Sequence, residues 1–237
     1  MLAYNFDWSV LWREPYGEWL LRGIWYTVQI GFLAWILALT LGVAIGVMRV
    51  SKLTLLRFLG TVYVEFFRNI PFLVQLFFWY YAGPMLFGKT IQFQINSISG
   101  LNYYVAIVAL GLYTASRVAE HVRAGFGSIG QGQYQAVLST GMTHLQMYRH
   151  VIIPLALRLI IPQLTTEFLT IFKNSSIAMT ISVAETTFIS YKIDSETFHG
   201  LEATTGAMLV YLALGMIVVR LMGLIENRFK IPGLVSR

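Results

Sequence analysis

The stretch GIWYTVQIGFLAWILALTLGVAIGVM, from Gly23 to Met48, holds 26 residues without a charge. As a helix it reaches about 39 Å at 1.5 Å per residue, more than the ~30 Å hydrocarbon core of a bilayer. It predicts a tilted membrane-spanning helix, and the composition agrees. Hydrophobic residues make up 57% of the 237 and charged residues 12%, against roughly 45–50% and about 25% in a soluble domain. The net charge is +6, but the basic residues are scattered between apolar runs, which argues against nucleic acid as a partner. Without any cysteine, the chain offers no disulfide framework, thiol nucleophile, Cys-ligated zinc or iron–sulfur cluster. Asp7, Arg13, Glu14, Glu18 and Arg22 precede the apolar run. The start therefore lacks the basic leader and small-residue cleavage site of a secretory signal, and residues 1–22 are expected to stay as an extracytoplasmic segment.

Working outward, a second span is expected from about Leu55 to Leu86, kinked at Pro71. A third runs from Tyr103 to about Glu120. The fourth, Leu159 to Ser182, carries Pro162, Glu167 and Lys173, which suit a helix lining a protein cavity better than one facing lipid. The fifth, Ala203 to Val219, has 17 uncharged residues, the lower limit for a span. With the N-terminus outside, the inner segments hold Arg49, Lys52, Arg57, Arg123, Arg149, Arg158, Arg220, Arg228, Lys230 and Arg237, and the outer ones only Arg13, Arg22, Lys89 and Lys192. That asymmetry orients the chain. The expectation is an all-α integral membrane protein with five transmembrane helices and the N-terminus outside. No linker, low-complexity stretch or repeat is evident, so residues 1–237 form a single transmembrane domain.

Residues 124–154, between the third and fourth helices, are expected to form a cytoplasmic loop of distinctive build. Tyr134, Val137 and Leu138 share one face of a short helix, Gly141 breaks it, and Thr143 with Gln146 makes a capping box for a second helix. The plain alternative is an amphipathic loop resting on the membrane surface.

Charges within the spans are the candidate site. Glu65 and Arg68 lie at i, i+3, where they could form a structural ion pair, and Gln75 falls on the Arg68 face if the kink at Pro71 leaves it there. Near the end of the third helix stand Arg117, Glu120, His121 and Arg123. Arg123 can snorkel to the headgroups, and Arg117 can pair with Glu120 on the next turn. Glu167, Lys173 and Asn174 are the costliest residues of the fourth helix, with Lys173 alternatively an outer anchor. The four histidines, at 121, 144, 150 and 199, show no metal-ligand spacing and are expected to be solvated or interfacial. No GxSxG elbow and no GxxxxGK[ST] loop is present. The aromatics Trp12, Trp19, Trp25, Trp35, Tyr80 and Tyr81 are expected in the interface belt or facing lipid.

The elbow resembles the EAA loop of ABC-importer permeases. Gln135 stands for the Glu of that pattern, Ala136 and Val137 for the two Ala, Gly141 for the Gly, and Val151, Ile153 and Pro154 for the closing Ile-x-Leu-Pro. The departures are Gln135, which lacks the carboxylate, and Gly130, where amino-acid permeases have Pro. Three further blocks are similar to the polar amino-acid branch and follow in its order. They are Tyr63-Val-Glu65-Phe-Phe-Arg68-Asn69-Ile-Pro71-Phe-Leu-Val-Gln75, Leu112-Tyr-Thr-Ala-Ser-Arg117-Val-Ala-Glu120-His-Val-Arg123 and Glu167-Phe-Leu-Thr-Ile-Phe-Lys173-Asn174-Ser175-Ser176. The resemblance covers about Gly23 to Pro232.

What it implies is a permease subunit of the bacterial cytoplasmic (inner) membrane, multi-pass, with no catalytic centre, metal or cofactor of its own. Its implied partners are an ABC ATPase dimer that binds the ATP, a second permease subunit in a homodimer or heterodimer, an extracytoplasmic solute-binding protein, and the lipid bilayer. Gln135, Ala136, Gly141 and Pro154 would couple to the ATPase. Arg117, Glu167, Asn174, Ser175, Lys173, Arg68 and Gln75 would line the substrate path. Arg117 and the neutral Asn174, where cationic amino-acid permeases carry an aromatic and an Asp, imply an acidic amino acid, glutamate or aspartate. Glu167 would then receive its ammonium. A permease for neutral or other polar amino acids is the alternative. A self-sufficient channel or secondary transporter is the rival class, which would need no elbow and would transport as the purified chain alone.

Because the chain has no cysteine, orientation is testable with single replacements. Ser97→Cys should react with a membrane-impermeant maleimide added to intact cells, and Ser139→Cys only after permeabilisation. The opposite pattern would reverse the orientation.

Overall fold

The computed structural model describes residues 4–229. Lys230 and Arg237 of the charge asymmetry, and the Pro232 end of the resemblance, lie outside the described residues. All regular structure among the described residues is helical. A 3-10 turn, Trp8–Leu11, is followed by α1 (Tyr16–Val50), α2 (Thr54–Asn69) and α3 (Phe72–Phe77). α3 continues through a π turn to Ala82 and a 3-10 turn to Leu86. Next come α4 (Lys89–Asn96), α5 (Leu101–Gly127), α6 (Gln131–Ser139) and α7 (His144–Met147). A π turn, Tyr148–Ile152, joins α7 to α8 (Ile153–Ser175), which ends as a 3-10 turn, Ser176–Ile181. α9 (Thr186–Thr197) and α10 (Gly200–Phe229) complete the described chain.

Four helical stretches among the described residues are long and apolar enough to cross a bilayer: Tyr16–Val50, Leu101–Gly127, His144–Ile181 and Gly200–Phe229. The expected second span is interrupted rather than kinked, with α2 ending at Asn69 and α3 starting at Phe72. Pro71 adopts φ −57°, ψ 138°, because its ring removes a donor and pushes the preceding residue out of the helical region. The carbonyl of Ile70 exposed by the break accepts a hydrogen bond from Gln75 Nε2 at 2.8 Å. The fourth span also begins earlier than expected, since Pro154 sits in the first turn of α8, where a missing N–H costs little.

The chain divides into two units, and the division falls inside α1, α5, α8 and α10. One unit comprises 4–36, 70–111 and 170–217. Here Val10, Ile189, Ile193 and Ala203 form a core joined by Leu11, Tyr16, Trp19, Leu20 and Phe188. Two fully buried carboxylates organise its polar contacts. Glu185 caps α9, accepting from Thr187 N at 2.9 Å, Phe188 N at 2.8 Å and Tyr211 Oη at 2.6 Å. Glu202 accepts from Asp7 N at 2.7 Å and from the Tyr4 hydroxyl, which ties the N-terminal segment to the start of α10. In that segment the hydroxyl and N–H of Ser9 hold the Asp7 carboxyl below the usual carboxylate range.

The other unit comprises 37–69, 112–169 and 218–229. Its helices approach closely at small residues, as membrane helices do in the absence of a hydrophobic drive between them. A Cβ on Gly42 would lie 2.6 Å from Val118 Cβ, one on Gly46 2.6 Å from Val122 Cβ, and one on Gly125 2.3 Å from Ile160 Cγ1. α5 is thereby set tightly against α1 and α8. Gly42→Leu should overpack the α1–α5 contact at a cost of about 1–3 kcal/mol, seen as a lower Tm of the detergent-solubilised complex. Gly127→Leu, which meets nothing within 4 Å, should leave Tm unchanged.

Candidate functional site

Arg117, Glu120, His121 and Arg123 stand on the second half of α5, Glu167 on α8, Arg49 at the end of α1 and Arg68 at the end of α2. All seven belong to one unit. Arg117 and His121 are four residues apart and so share a face of α5, and the short α5–α8 separation at Gly125 brings that face within reach of Glu167. Arg117 donates from Nε to Glu167 Oε2 at 2.7 Å and from Nη2 to Oε1 at 3.0 Å, two parallel bonds of the strong bidentate kind. His121 Nε2 lies 2.9 Å from the same Oε1. The Glu167 side chain is only 2% exposed, so these partners are what make its burial tolerable.

Glu120 is the centre of a second group. Arg123 donates to it at 2.5 and 3.2 Å, Arg49 donates to Oε2, and Arg68 Nη1 lies 3.7 Å from Oε2. Arg68, Arg117, Glu120, His121 and Glu167 together line an opening of about 70 Å³. Four guanidinium groups thus face two carboxylates, a net +2 before His121 is counted. The arrangement can neutralise and orient a carboxylate. It holds no nucleophile, and no group of three or more metal-ligating side chains occurs among the described residues.

Three sequence expectations are corrected here. Arg117 pairs with Glu167 on another helix and not with Glu120, because Glu120 is turned toward Arg49 and Arg123. Arg68 reaches Glu120, while the expected partner Glu65 instead accepts a bond from Asn69 Nδ2 at 3.0 Å. His121 is a partner of a buried carboxylate rather than a solvated ring. Arg49 is the residue that sequence reasoning missed, and His121, though named beside Arg117, was expected to be solvated. For His121 the spacing of four from Arg117 was a usable signal, whereas Arg49 was indistinguishable from the other basic residues after a span.

The remaining candidates lie elsewhere. Gln75 is buried, closing the gap at Ile70, in the unit that also holds Lys173, Asn174 and Ser175. Lys173 is exposed, Asn174 half-buried, and the buried Ser175 donates its hydroxyl to Phe172 O at 2.7 Å. The elbow has the expected build. Gly141 adopts φ +83°, the left-handed region that favours glycine. Thr143 accepts from Gln146 N at 3.3 Å and donates its own N–H to Gln146 Oε1 at 2.9 Å. Gln135 and Ala136 are exposed on α6, Pro154 is half-buried, and Leu138, Met142, Leu145 and Tyr148 leave an exposed apolar surface.

The chain belongs to the family described as binding-protein-dependent transport system inner membrane component, whose model matches residues 19–231. It is 34% identical to the glutamate/aspartate import permease protein GltJ of Escherichia coli (strain K12) over 98% of both chains. It is also 34% identical to the probable glutamine ABC transporter permease protein GlnM of Bacillus subtilis (strain 168), over 81% of this chain and 84% of the relative. The crystal structure of an amino acid ABC transporter with histidines superposes with a TM-score of 0.81 at 30% identity, covering 95% of this chain and all of that one.

The Glu120 group makes a stability prediction. Glu120→Gln would leave Arg49, Arg68 and Arg123 without their common counter-ion and should cost about 2–3 kcal/mol, allowing for partial exposure. Glu65→Gln, at an exposed position, should cost well under 1 kcal/mol. Thermal unfolding of the solubilised complex distinguishes the two.

Proposed function

We propose that the chain is the membrane-spanning permease subunit of a bacterial ABC importer that carries an acidic amino acid, glutamate or aspartate, across the inner membrane. It works with a separate ATPase dimer, a second permease subunit and an extracytoplasmic solute-binding protein. Residues 1–237 act as one transmembrane domain with the N-terminus outside. α2 and the apolar stretch Phe72–Leu86 form one interrupted span, which completes five. Residues 124–154, with Gln135, Ala136, Gly141 and Pro154, dock on the ATPase and pass its closure to the helices.

The observation that carries the substrate reading is the bidentate hold of Arg117 on Glu167. The fork already grips a glutamate side chain, and a substrate carboxylate presents the same two oxygens. A zwitterion entering this ion pair gives Arg117 a carboxylate and leaves Glu167 facing the ammonium, so neither buried charge loses a partner. The excess of guanidinium groups around the pair then favours a substrate with a second carboxylate. The family relationship and the name of the Escherichia coli relative support the same class. A neutral polar amino acid is the second reading, supported by the equal identity to the relative named for glutamine and by the local neutrality of the Arg117–Glu167 pair.

Two variants test the proposal. Arg117→Gln should lower uptake efficiency for glutamate or aspartate by about 10- to 150-fold, the equivalent of roughly 1.5–3 kcal/mol for a charge-assisted bond. Arg117→Lys, which keeps the charge but not the fork, should lose less. Uptake is measured with the native binding protein and corrected for complex in the membrane. Wild-type uptake by Arg117→Gln, or recovery on exchanging the charges of Arg117 and Glu167, would reduce the pair to scaffold. Gly141→Val, forced into a left-handed conformation, should uncouple the elbow. Stimulation of ATP hydrolysis by loaded binding protein should fall while assembly persists.

A further inference from the structure

A cavity of about 730 Å³ lies wholly within the unit that holds α9 and the N-terminal half of α10. Its size is that of a small-molecule site. Its walls include Ser190, Tyr191, Asp194, Thr204 and Thr205, set among apolar side chains. The hydroxyls of Ser190, Tyr191, Thr204 and Thr205 make no hydrogen bond to other described residues, and the Asp194 carboxylate makes neither a hydrogen bond nor an ion pair. No lysine, arginine or histidine lines the cavity. The neighbouring base on α9, Lys192, is committed elsewhere, with Nζ 3.5 Å from the centre of the Trp19 ring.

This pattern differs from the way the same unit treats its fully buried carboxylates. Glu185 and Glu202 are each saturated by backbone and hydroxyl donors. The deeper polar groups of the cavity, Thr187 and Tyr211, belong to the Glu185 network and are 3.1 Å apart. Asp194 is the acid among the lining residues, and it is half-exposed. Its carboxylate lies beside Gly200, with Oδ1 2.7 Å from where a Cβ would stand at that residue, so a larger residue there would push the carboxylate aside. A half-exposed carboxylate flanked by hydroxyls, with no cation among the lining residues, suits a ligand that brings positive charge and several N–H donors.

We infer that this cavity binds a primary ammonium group, with Asp194 as its counter-ion and the hydroxyls of Ser190, Thr204 and Thr205 as further acceptors. Two sources carry that chemistry: the ammonium end of the transported amino acid, which rests on the proposed function, and an ethanolamine lipid headgroup. The site shares no lining residue with the Arg117–Glu167 opening, where the ammonium faces Glu167, so a transported amino acid occupies the two in succession; it acts on any amino acid irrespective of side-chain charge.

The test uses the complex purified with its ATPase and second membrane subunit. In nanodiscs of phosphatidylglycerol alone, radiolabelled glutamate and glutamine are titrated without binding protein. If the amino acid is the ligand, Asp194→Asn should remove one class of bound amino acid or weaken it at least tenfold. Thr205→Val should weaken that class about fivefold, Asp194→Glu should retain it, and Arg117→Gln should leave it intact. In a second arm, phosphatidylethanolamine retained by the complex is measured by mass spectrometry after delipidation. Unchanged amino-acid binding with phosphatidylethanolamine lost from Asp194→Asn assigns the same site to lipid. If Asp194→Asn and Thr205→Val change neither quantity, the inference is overturned. Binding of glutamine but not glutamate, still weakened by Asp194→Asn, would overturn the acidic substrate while leaving the ammonium site standing.

Discussion

A carboxylate buried in a helix that crosses a bilayer has to be neutralised by side chains already in place, and Glu167 is the point at which this chain meets that demand. Unpaired, it would cost several kcal/mol. Its partners come from one face of α5, where Arg117 and His121 are a turn apart. They reach it because α5 and α8 pack closely enough at Gly125 to exclude even a methyl group. The packing and the ion pair therefore depend on each other. Gly42 and Gly46 set α1 against α5 by the same kind of close approach.

Around this pair the charges are unequal. Glu120 draws Arg49, Arg68 and Arg123 into one group from three helices. One carboxylate shared by three cations cannot balance them, so the surplus is available to an anion in the small opening between the two groups. A structural ion network alone would need no such surplus. The imbalance gives the pair its proposed role in transport.

The other buried acids show the contrast. Glu185 and Glu202 are held largely by backbone N–H groups and tyrosine hydroxyls, donors that belong to the local fold and have no alternative positions. Glu167 is held by two flexible side chains carrying or able to carry charge. A contact of the first kind fixes a segment, while one of the second kind can be exchanged for a ligand of equal charge. At the elbow, a left-handed glycine and a reciprocal cap direct the chain from α6 into α7 through local interactions.

The sequence by itself determined the helical membrane class, four of the five expected long spans, the elbow and its cap, and the family, because each rests on local pattern: uncharged runs and the spacing of Gly141, Thr143 and Gln146. It also singled out Arg117 and Glu167, since charges within apolar runs are conspicuous in one dimension. Tertiary structure alone decided who pairs with whom. Arg117 chose Glu167, 50 residues away, over Glu120 three residues away, because helix rotation turns Glu120 toward α1. Gln75 became the patch over a broken helix, and Asp194, unremarkable in the sequence, became the acid among the residues lining the cavity beside α9. Spacing along a helix says which side chains share a face. Only the packing of that face against another helix says what it meets.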